Sequence, residues 1–372
     1  MPGLRVFTEA DVVPVADLIW NVLHEQQGPA PQSLHSHLLD LFLRNPWLEP
    51  GIDSRVFEDQ QGKLVGFFGA VPRRMTHKGR RILLSFGSNF VMDPSSRATM
   101  AALQLVKAFM KGPQDISITD SANDMSRTLL RSLGFSVVSI YSLQWARPLR
   151  PSRYFLTAAS RLKKNRMLTS VEKLARPFCN VIDATSSRLK FSPFYQSNSP
   201  RSSKELDLET HFKCLTTIPS KQLILPEYDL GSLEWTLKFI SDRRVFGQLR
   251  KSLVLNSESK PVGWYVYGMT PGKIGEVLQI GAESASVGIV LTDLFRDAQE
   301  KGLIGLHGRM EPQFMQELTS KSCFFFRNGS WTLAHSSNLE LLSLLSGGTA
   351  FFSRLDGEWS LRHGTGSGEV VT

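Results

Sequence analysis

The sequence predicts an α/β chain of the α+β kind, folded as two domains. Three observations lead there. At 372 residues the chain exceeds one typical domain. Strand-like and helix-like segments follow one another in the same order in both halves. A short stretch also recurs: Gly62-Lys63-Leu64-Val65-Gly66-Phe67-Phe68 lines up with Ser259-Lys260-Pro261-Val262-Gly263-Trp264-Tyr265 at an offset of about 197 residues. With 41% hydrophobic and 21% charged residues, the composition is that of a globular protein with a sizeable core.

In the first half, Arg5-Val6-Phe7 reads as a strand leading into a helix with Thr8 as N-cap and Asp11 as the acidic third position. That helix carries Ala16, Leu18, Ile19 and Leu23 on one face. A second helix spans Leu34 to Leu43 and ends at Asn45-Pro46. Arg55–Glu58 and Lys63–Val71 are strands joined by a turn at Asp59–Gly62. A basic turn over Arg73, Arg74 and His77–Arg81 leads to a third strand, Ile82–Met92, closed by Asp93-Pro94. Met100–Met110 is a helix, Ile116–Thr119 a short strand, Asn123–Ser132 a helix stopped by Gly134, and Phe135–Trp145 a last strand.

The second half repeats the order. Lys251–Leu255, Val262–Tyr267 and Glu276–Ile280 are strands, Gly288–Lys301 a helix, and Leu303–His307 a strand. Phe314–Leu318 is a short helix, and Cys323–Leu333 a hairpin-like pair around Asn328-Gly329. Trp264, Tyr265 and Tyr267 occupy both faces of their strand, the pattern of core packing. Arg354-Leu355-Asp356-Gly357-Glu358-Trp359 reads as a late turn held by a salt bridge.

The net charge of +9 is local. Thirteen Lys and Arg lie between Arg147 and Lys204 against only Glu172 and Asp183, so the rest of the chain is near neutral. This stretch is rich in Ser and Pro, with Tyr154–Ala175 a candidate basic amphipathic helix. It has no nucleic-acid module and no interleaved stacking aromatics. Cys179, Cys214 and Cys323 are scattered without metal-ligand spacing, and His35 and His37 fall on different helix faces, so no metal is expected. No signal-peptide core and no apolar run of membrane-spanning length is present, which predicts a cytoplasmic protein. The expected domains are 1–146, a basic connector 147–225, a second domain 226–362 and a disordered tail 363–372.

Phe90-Val91-Met92-Asp93-Pro94-Ser95-Ser96-Arg97-Ala98-Thr99-Met100-Ala101-Ala102-Leu103 is a strand running into a helix start, where free amides and the helix dipole favour phosphate. Arg97 is placed to reach such a phosphate, and Ala98, Ala101 and Ala102 let the backbone approach a ligand. Downstream stands Asn123-Asp124-Met125-Ser126-Arg127-Thr128-Leu129-Leu130-Arg131-Ser132-Leu133-Gly134-Phe135.

Over residues 4–146 these two motifs resemble the GNAT superfamily of acyl-CoA N-acyltransferases. Arg97 matches the first position of the family's Arg/Gln-x-x-Gly-x-Gly/Ala loop and Ala102 the last, with Met100 in place of the central glycine. Asn123, Ser126, Leu129, Gly134 and Phe135 match the second motif, with Leu130 in the tyrosine position. The resemblance implies two GNAT-like domains, each a mixed, mostly antiparallel central sheet flanked by helices, the second degenerate. It implies acetyl-CoA or another acyl-CoA as co-substrate, bound by Val91, Met92, Arg97, Ala98, Thr99, Met100, Ala101, Ala102 and Asn123. An amine held between the domains would attack the thioester directly, its carbonyl polarised by a main-chain amide near Val91 or Met92. Ser126 or Tyr141 would replace the missing acid, and Asp120 or water would act as base. In the second copy Glu283 stands at the phosphate-loop position, which opposes a second cofactor site. Two other readings share the fold. One is a non-catalytic GNAT-like binding or scaffold protein, favoured by Met100 and Leu130. The other is a Fem-type aminoacyl transferase using charged tRNA, which suits the basic connector but lacks that group's coiled-coil hairpin. Outside that last reading, nucleic acid is not an expected partner.

Overall fold

The computed structural model describes residues 3–95, 99–163, 203–218, 220–327 and 329–363, together with Asp183 and Phe194. The first half runs β1 (Leu4–Val6), α1 (Val12–Val22), α2 (Gln32–Phe42), β2 (Arg55–Glu58), β3 (Leu64–His77), β4 (Arg80–Met92), α3 (Thr99–Met110), β5 (Ile116–Ala122), α4 (Asp124–Ser132), β6 (Ser136–Val137) and β7 (Gln144–Pro148). Then follow α5 (Pro151–Lys163), β8 (Ser203–Glu205), α6 (Leu208–Thr217), β9 (Ile224–Pro226) and α7 (Leu230–Arg243). The second half adds β10 (Gln248–Leu255), β11 (Pro261–Met269), β12 (Ile274–Ala282), α8 (Val287–Glu300), β13 (Gly305–Arg309), α9 (Met315–Ser320), β14 (Phe324–Phe326), β15 (Trp331–His335) and α10 (Leu339–Ser346).

These strands form two sheets. One has the order β1-β2-β3-β4-β5-β15-β6 with β9 on β3; the other has the order β14-β7-β13-β12-β11-β10-β8. Each contains one parallel pair of strands, β4 with β5 and β12 with β13, and is otherwise antiparallel. The repeated order β-β-β-α-β is therefore present in both halves.

The compact units differ from the linear boundaries at 146 and 226. One unit is Met1–Ser142, Gln222–Val245 and Gly329–Thr372; the other is Leu143–Lys221 and Phe246–Asn328. The reason is a reciprocal exchange of strands. β7, from the first half, is hydrogen-bonded to both β13 and β14, while β15, from the second half, lies between β5 and β6. Phe135–Trp145 is thus not one strand: it holds β6, a 3₁₀ turn over Ser139–Ser142 and the start of β7. Likewise Cys323–Leu333 is no hairpin, because β14 and β15 belong to different sheets. Within the connector, α5 covers the described part of the helix expected over Tyr154–Ala175, and β8 and α6 follow; residues 164–182, 184–193 and 195–202 fall outside the described set, as does most of the tail.

The basic stretch read as a turn after Val71 is strand. β3 continues through Arg73, which is buried, and turns only at Lys78 and Gly79, whose φ angles of 50° and 73° make a tight two-residue hairpin. Strand alternation sends Phe67 and Phe68 to opposite faces. The Phe67 face packs with Val15, Ile19, Leu38 and Phe42 of α1 and α2; the Phe68 face packs with Leu105, Phe109 and Leu130 of α3 and α4. Gly69 sits where β3, β4 and α2 come closest. A Cβ there would lie 2.5 Å from the Phe42 ring and 2.7 Å from the Ser88 carbonyl. Because one obstacle is backbone, Gly69→Ala is expected to cost about 1–3 kcal/mol. An unchanged denaturant midpoint would contradict that packing.

Candidate functional site: the opening between two parallel strands

Parallel pairing of β4 and β5 is short. It runs from Leu84↔Ile116 to Phe86↔Ile118 and stops, although β4 continues to Met92 and β5 to Ala122. Beyond Phe86 the strands diverge, β4 staying with β3 and β5 with β15. A bulge marks the divergence. Phe67 pairs with Val91 but Gly69 pairs with Ser88, so Asn89 and Phe90 together face Phe68. Asn89 takes φ 52°, left-handed backbone that Asn tolerates better than most residues. The extra residue of this bulge leaves the β3–β4 ladder next to the point where β5 has already parted from β4. Val91 and Met92, where the family resemblance implies the carbonyl-polarising amide, follow this bulge directly. The irregularity sits at Asn89 and Phe90, and only the register reveals it.

Buried polar groups line the opening. Glu358 comes from a 3₁₀ turn, Glu358–Leu361, near the end of the chain. Its carboxylate accepts from Ser121 Oγ at 2.5 Å, lies 3.5 Å from Thr119 Oγ1 and is also hydrogen-bonded by Ser88. It therefore spans from β4 to β5 where their own pairing has ended. Burial and the charge of neighbouring Asp120 push Glu358 up to about 7, against the opposing pull of Arg362, Ser121 and Ser88. Asp120 is itself buried on β5, and its carbonyl accepts from the indole N–H of Trp359 at 3.3 Å. The guanidinium carbons of Arg354 and Arg362 lie 4.8 and 4.0 Å from the Trp359 ring centroid. Burial lowers Arg354 to about 9, still high enough to stay charged at neutral pH beside Asp120. The group thus balances two carboxylates with two guanidiniums.

The late turn predicted over Arg354–Trp359 is present, as a turn at Arg354–Asp356 leading into the 3₁₀ turn, but it is buried as part of a strap. Every residue from Ala350 to Leu361 is buried, with Phe352 stacked on Phe86 at 5.6 Å and Asp356 accepting from Tyr228 Oη at 2.6 Å. Two sequence signals pointed here. Thr119-Asp120-Ser121 puts three polar residues on a strand that should be apolar, and Arg354, Asp356 and Glu358 alternate with apolar residues.

The sequence-predicted residues are placed as follows. Val91 is buried on β4, and Met92 at its end packs near Gly66 and Leu105. Arg97 and Ala98 lie outside the described residues. Thr99 opens α3, Met100 is 66% exposed, Ala101 is buried and Ala102 half-buried. The Met100 side chain therefore stands in solvent rather than packed over the helix. Asn123 caps α4, its side chain accepting from the Ser126 amide at 2.8 Å. Leu130 fills the core with Phe135 and Leu333. Tyr141 is buried, its hydroxyl donating to the Ala350 carbonyl at 2.6 Å and accepting from the Ala350 amide at 3.1 Å. Its hydroxyl is committed to the strap.

The other unit has the same opening with different contents. β12 and β13 pair from Ile274↔Gly305 to Val277↔Gly308, and a bulge leaves Leu278 extra opposite β11. There the indoles of Trp264 and Trp145 lie on Gly281 and Gly308, where a Cβ would come within 2.1 and 2.4 Å of them. Glu317 sits at the start of α8, its carboxylate 2.8 Å from where a Gly288 Cβ would be. An internal carboxylate already interacts with that helix dipole, which opposes phosphate.

No protein-family model and no curated protein matches the chain. Solved structures do. A probable N-acyltransferase from Enterococcus faecalis, titled a conserved protein of unknown function, is 12% identical with a TM-score of 0.55, over 90% of this chain and 73% of that one. A GCN5-related N-acetyltransferase from Anabaena variabilis is 12% identical with a TM-score of 0.53, over 90% and 73%. Saccharomyces cerevisiae N-myristoyltransferase with bound myristoyl-CoA and inhibitors is 10% identical with a TM-score of 0.52, over 89% and 79%. The fold is GNAT-like: two mostly antiparallel sheets flanked by helices. No helix among the described residues is long and apolar enough to cross a membrane.

Proposed function

We propose that the protein transfers a short acyl group, acetyl first among them, from an acyl-CoA to an amine at the opening between β4 and β5. The observation that carries this reading is Glu358, a buried carboxyl raised to about 7 and set across the opening. A proton acceptor works best with a pKa near the operating pH. The thioester carbonyl would be polarised by a main-chain amide of β4 past the bulge at Asn89 and Phe90, and the pyrophosphate of coenzyme A would meet the start of α3, with Arg97, Ala98, Thr99, Met100, Ala101 and Ala102. Val91, Met92 and Asn123 frame the same end of the strands.

The amine nitrogen attacks the carbonyl carbon, forming the C–N bond as the C–S bond breaks. Its proton passes to Glu358 and the leaving sulfur departs as thiolate, which takes a proton from solvent. A tyrosine at position 130 is thus not required, and Ser126 and Tyr141 carry no step. A buried carboxyl at the inner end of the opening disfavours a long alkyl chain, which would desolvate it without offering a partner. Acetyl-CoA is expected to raise the melting temperature, by about 2.7 kcal/mol of stabilisation at a hundredfold excess over Kd. No shift at millimolar acetyl-CoA would remove this reading.

A further inference from the structure

Ser33, His24, His37, Asp40 and Arg243 surround the end of the C-terminal strap. His363, its last described residue, contacts Ser33 Oγ through Nε2 at 3.2 Å. Its ring lies 6.0 Å from His24, near the end of α1, and 5.3 Å from His37 of α2, edge-on to both. His37 is wholly buried beside the main chain of Leu361, and its Nδ1 accepts from Arg243 Nε at 3.1 Å. That bond requires an unprotonated Nδ1, since a protonated one would point its hydrogen at a cation. Arg243 is held by Asp40 at 2.8 Å and by the Phe239 carbonyl at 3.1 Å, and its guanidinium lies over the Phe239 ring. The Nδ1 atoms of His24 and His363 are buried with no hydrogen-bond partner among the described residues. A second proton on His24 or His363 would go to an Nδ1 that has no acceptor among the described residues, and one on His37 Nδ1 would face Arg243; only the Leu361 main chain favours a protonated His37. Among the described residues of the group the carboxylate is Asp40, and it is already paired with Arg243.

We propose that Ala350–His363 is an acid-released latch: neutral His24, His37 and His363 hold its end, and its docking carries Glu358 into the opening between β4 and β5. The docking itself is independent of the transfer reading; only its effect on activity rests on that reading. Burial lowers all three imidazoles, and neighbouring positive groups lower His37 and His363 further, His363 to about 4. A histidine whose docked pKa is depressed favours docking fully above its free value of about 6.5 and loses that contribution as pH falls below it. Glu358 works against this. Its raised pKa makes docking take up a proton between about 4.5 and 7, so it favours the docked strap as pH falls through that range. Asp356, also raised by burial, acts in the same direction as Glu358; buried Arg73 faces Asp356, and Asp120, Arg354 and Arg362 lie around Glu358.

The test is amide hydrogen exchange of residues 350–361 in the full chain at pH 7 and pH 5, corrected for the chemical exchange rate. Glu358→Gln removes one of the two opposing carboxyls, leaving Asp356, and in that background the open fraction is expected to rise at least about tenfold at pH 5. Adding His24→Asn and His363→Asn, both at half-buried positions, is expected to reduce the rise at least about threefold, with His37 supplying what remains. Equal exchange at the two pH values in Glu358→Gln would overturn the latch, and so would an undiminished rise in the triple variant. Acetyl-CoA binding is read separately by melting, so failure of the latch and failure of the transfer reading are distinguishable.

Discussion

Glu358→Gln is expected to slow acyl transfer by about 10²–10⁴-fold, the usual contribution of a positioned proton acceptor. The amide keeps the side chain's size and its contacts with Ser121 and Ser88 but cannot take the amine's proton. Acetyl-CoA affinity should stay within about threefold, because the lost interaction belongs to the transition state. The pH dependence fixes the sign. In the wild type, Glu358 is the active base only when ionised, so the rate rises as pH passes through about 7. In the variant that limb disappears. Release of free thiol from acetyl-CoA with a panel of primary amines reads both quantities. A variant within threefold of the wild type, or one keeping the limb near 7, would remove Glu358 from the reaction.

Asp297→Ala is expected to give the largest loss of stability, about 3–5 kcal/mol in the unit built on β10–β13. Asp297 on α8 is wholly buried and accepts from Tyr267 Oη at 2.8 Å and from Arg250 Nε at 3.1 Å. Removing it leaves a buried hydroxyl and a partly buried guanidinium without their acceptor. Tyr265 makes the same kind of bond to Asp293, one turn earlier on the helix, at 2.8 Å. These two bonds tie β11 to α8, and burial with the aspartate charges raises both tyrosines well above their ordinary value. Calorimetry should show one transition falling while the other stays, since the chain has two compact units. A shift under about 1 kcal/mol would mean that the pair contributes little.

Local patterns carried much of this. The order of strands and helices and the core roles of Trp264, Tyr265 and Tyr267 follow from spacing and burial, which neighbouring residues decide. Partner choice does not. The residues Gln144–Pro148 read as a strand whichever sheet they join, so the exchange with Trp331–His335 left no trace in the local pattern. Arg73 looked like turn material because its charge outweighed the strand around it, yet it lies buried above the Trp47 ring at 4.8 Å. Glu358 was hidden for a third reason. It reaches Ser121 from 237 positions away in the chain, and no spacing rule spans that distance. The bulge at Asn89 and Phe90 was equally invisible, being a property of register rather than of residue type.

The central claim is that the opening between β4 and β5, rather than its counterpart beside β12, receives the acyl-CoA. Amide exchange with and without acetyl-CoA tests it most directly. The expected result is new protection at the β4 bulge, the start of α3 and residues 119–122 of β5, with residues 283–290 unchanged. Protection at 283–290 instead, or none at the β4 bulge, would contradict the account.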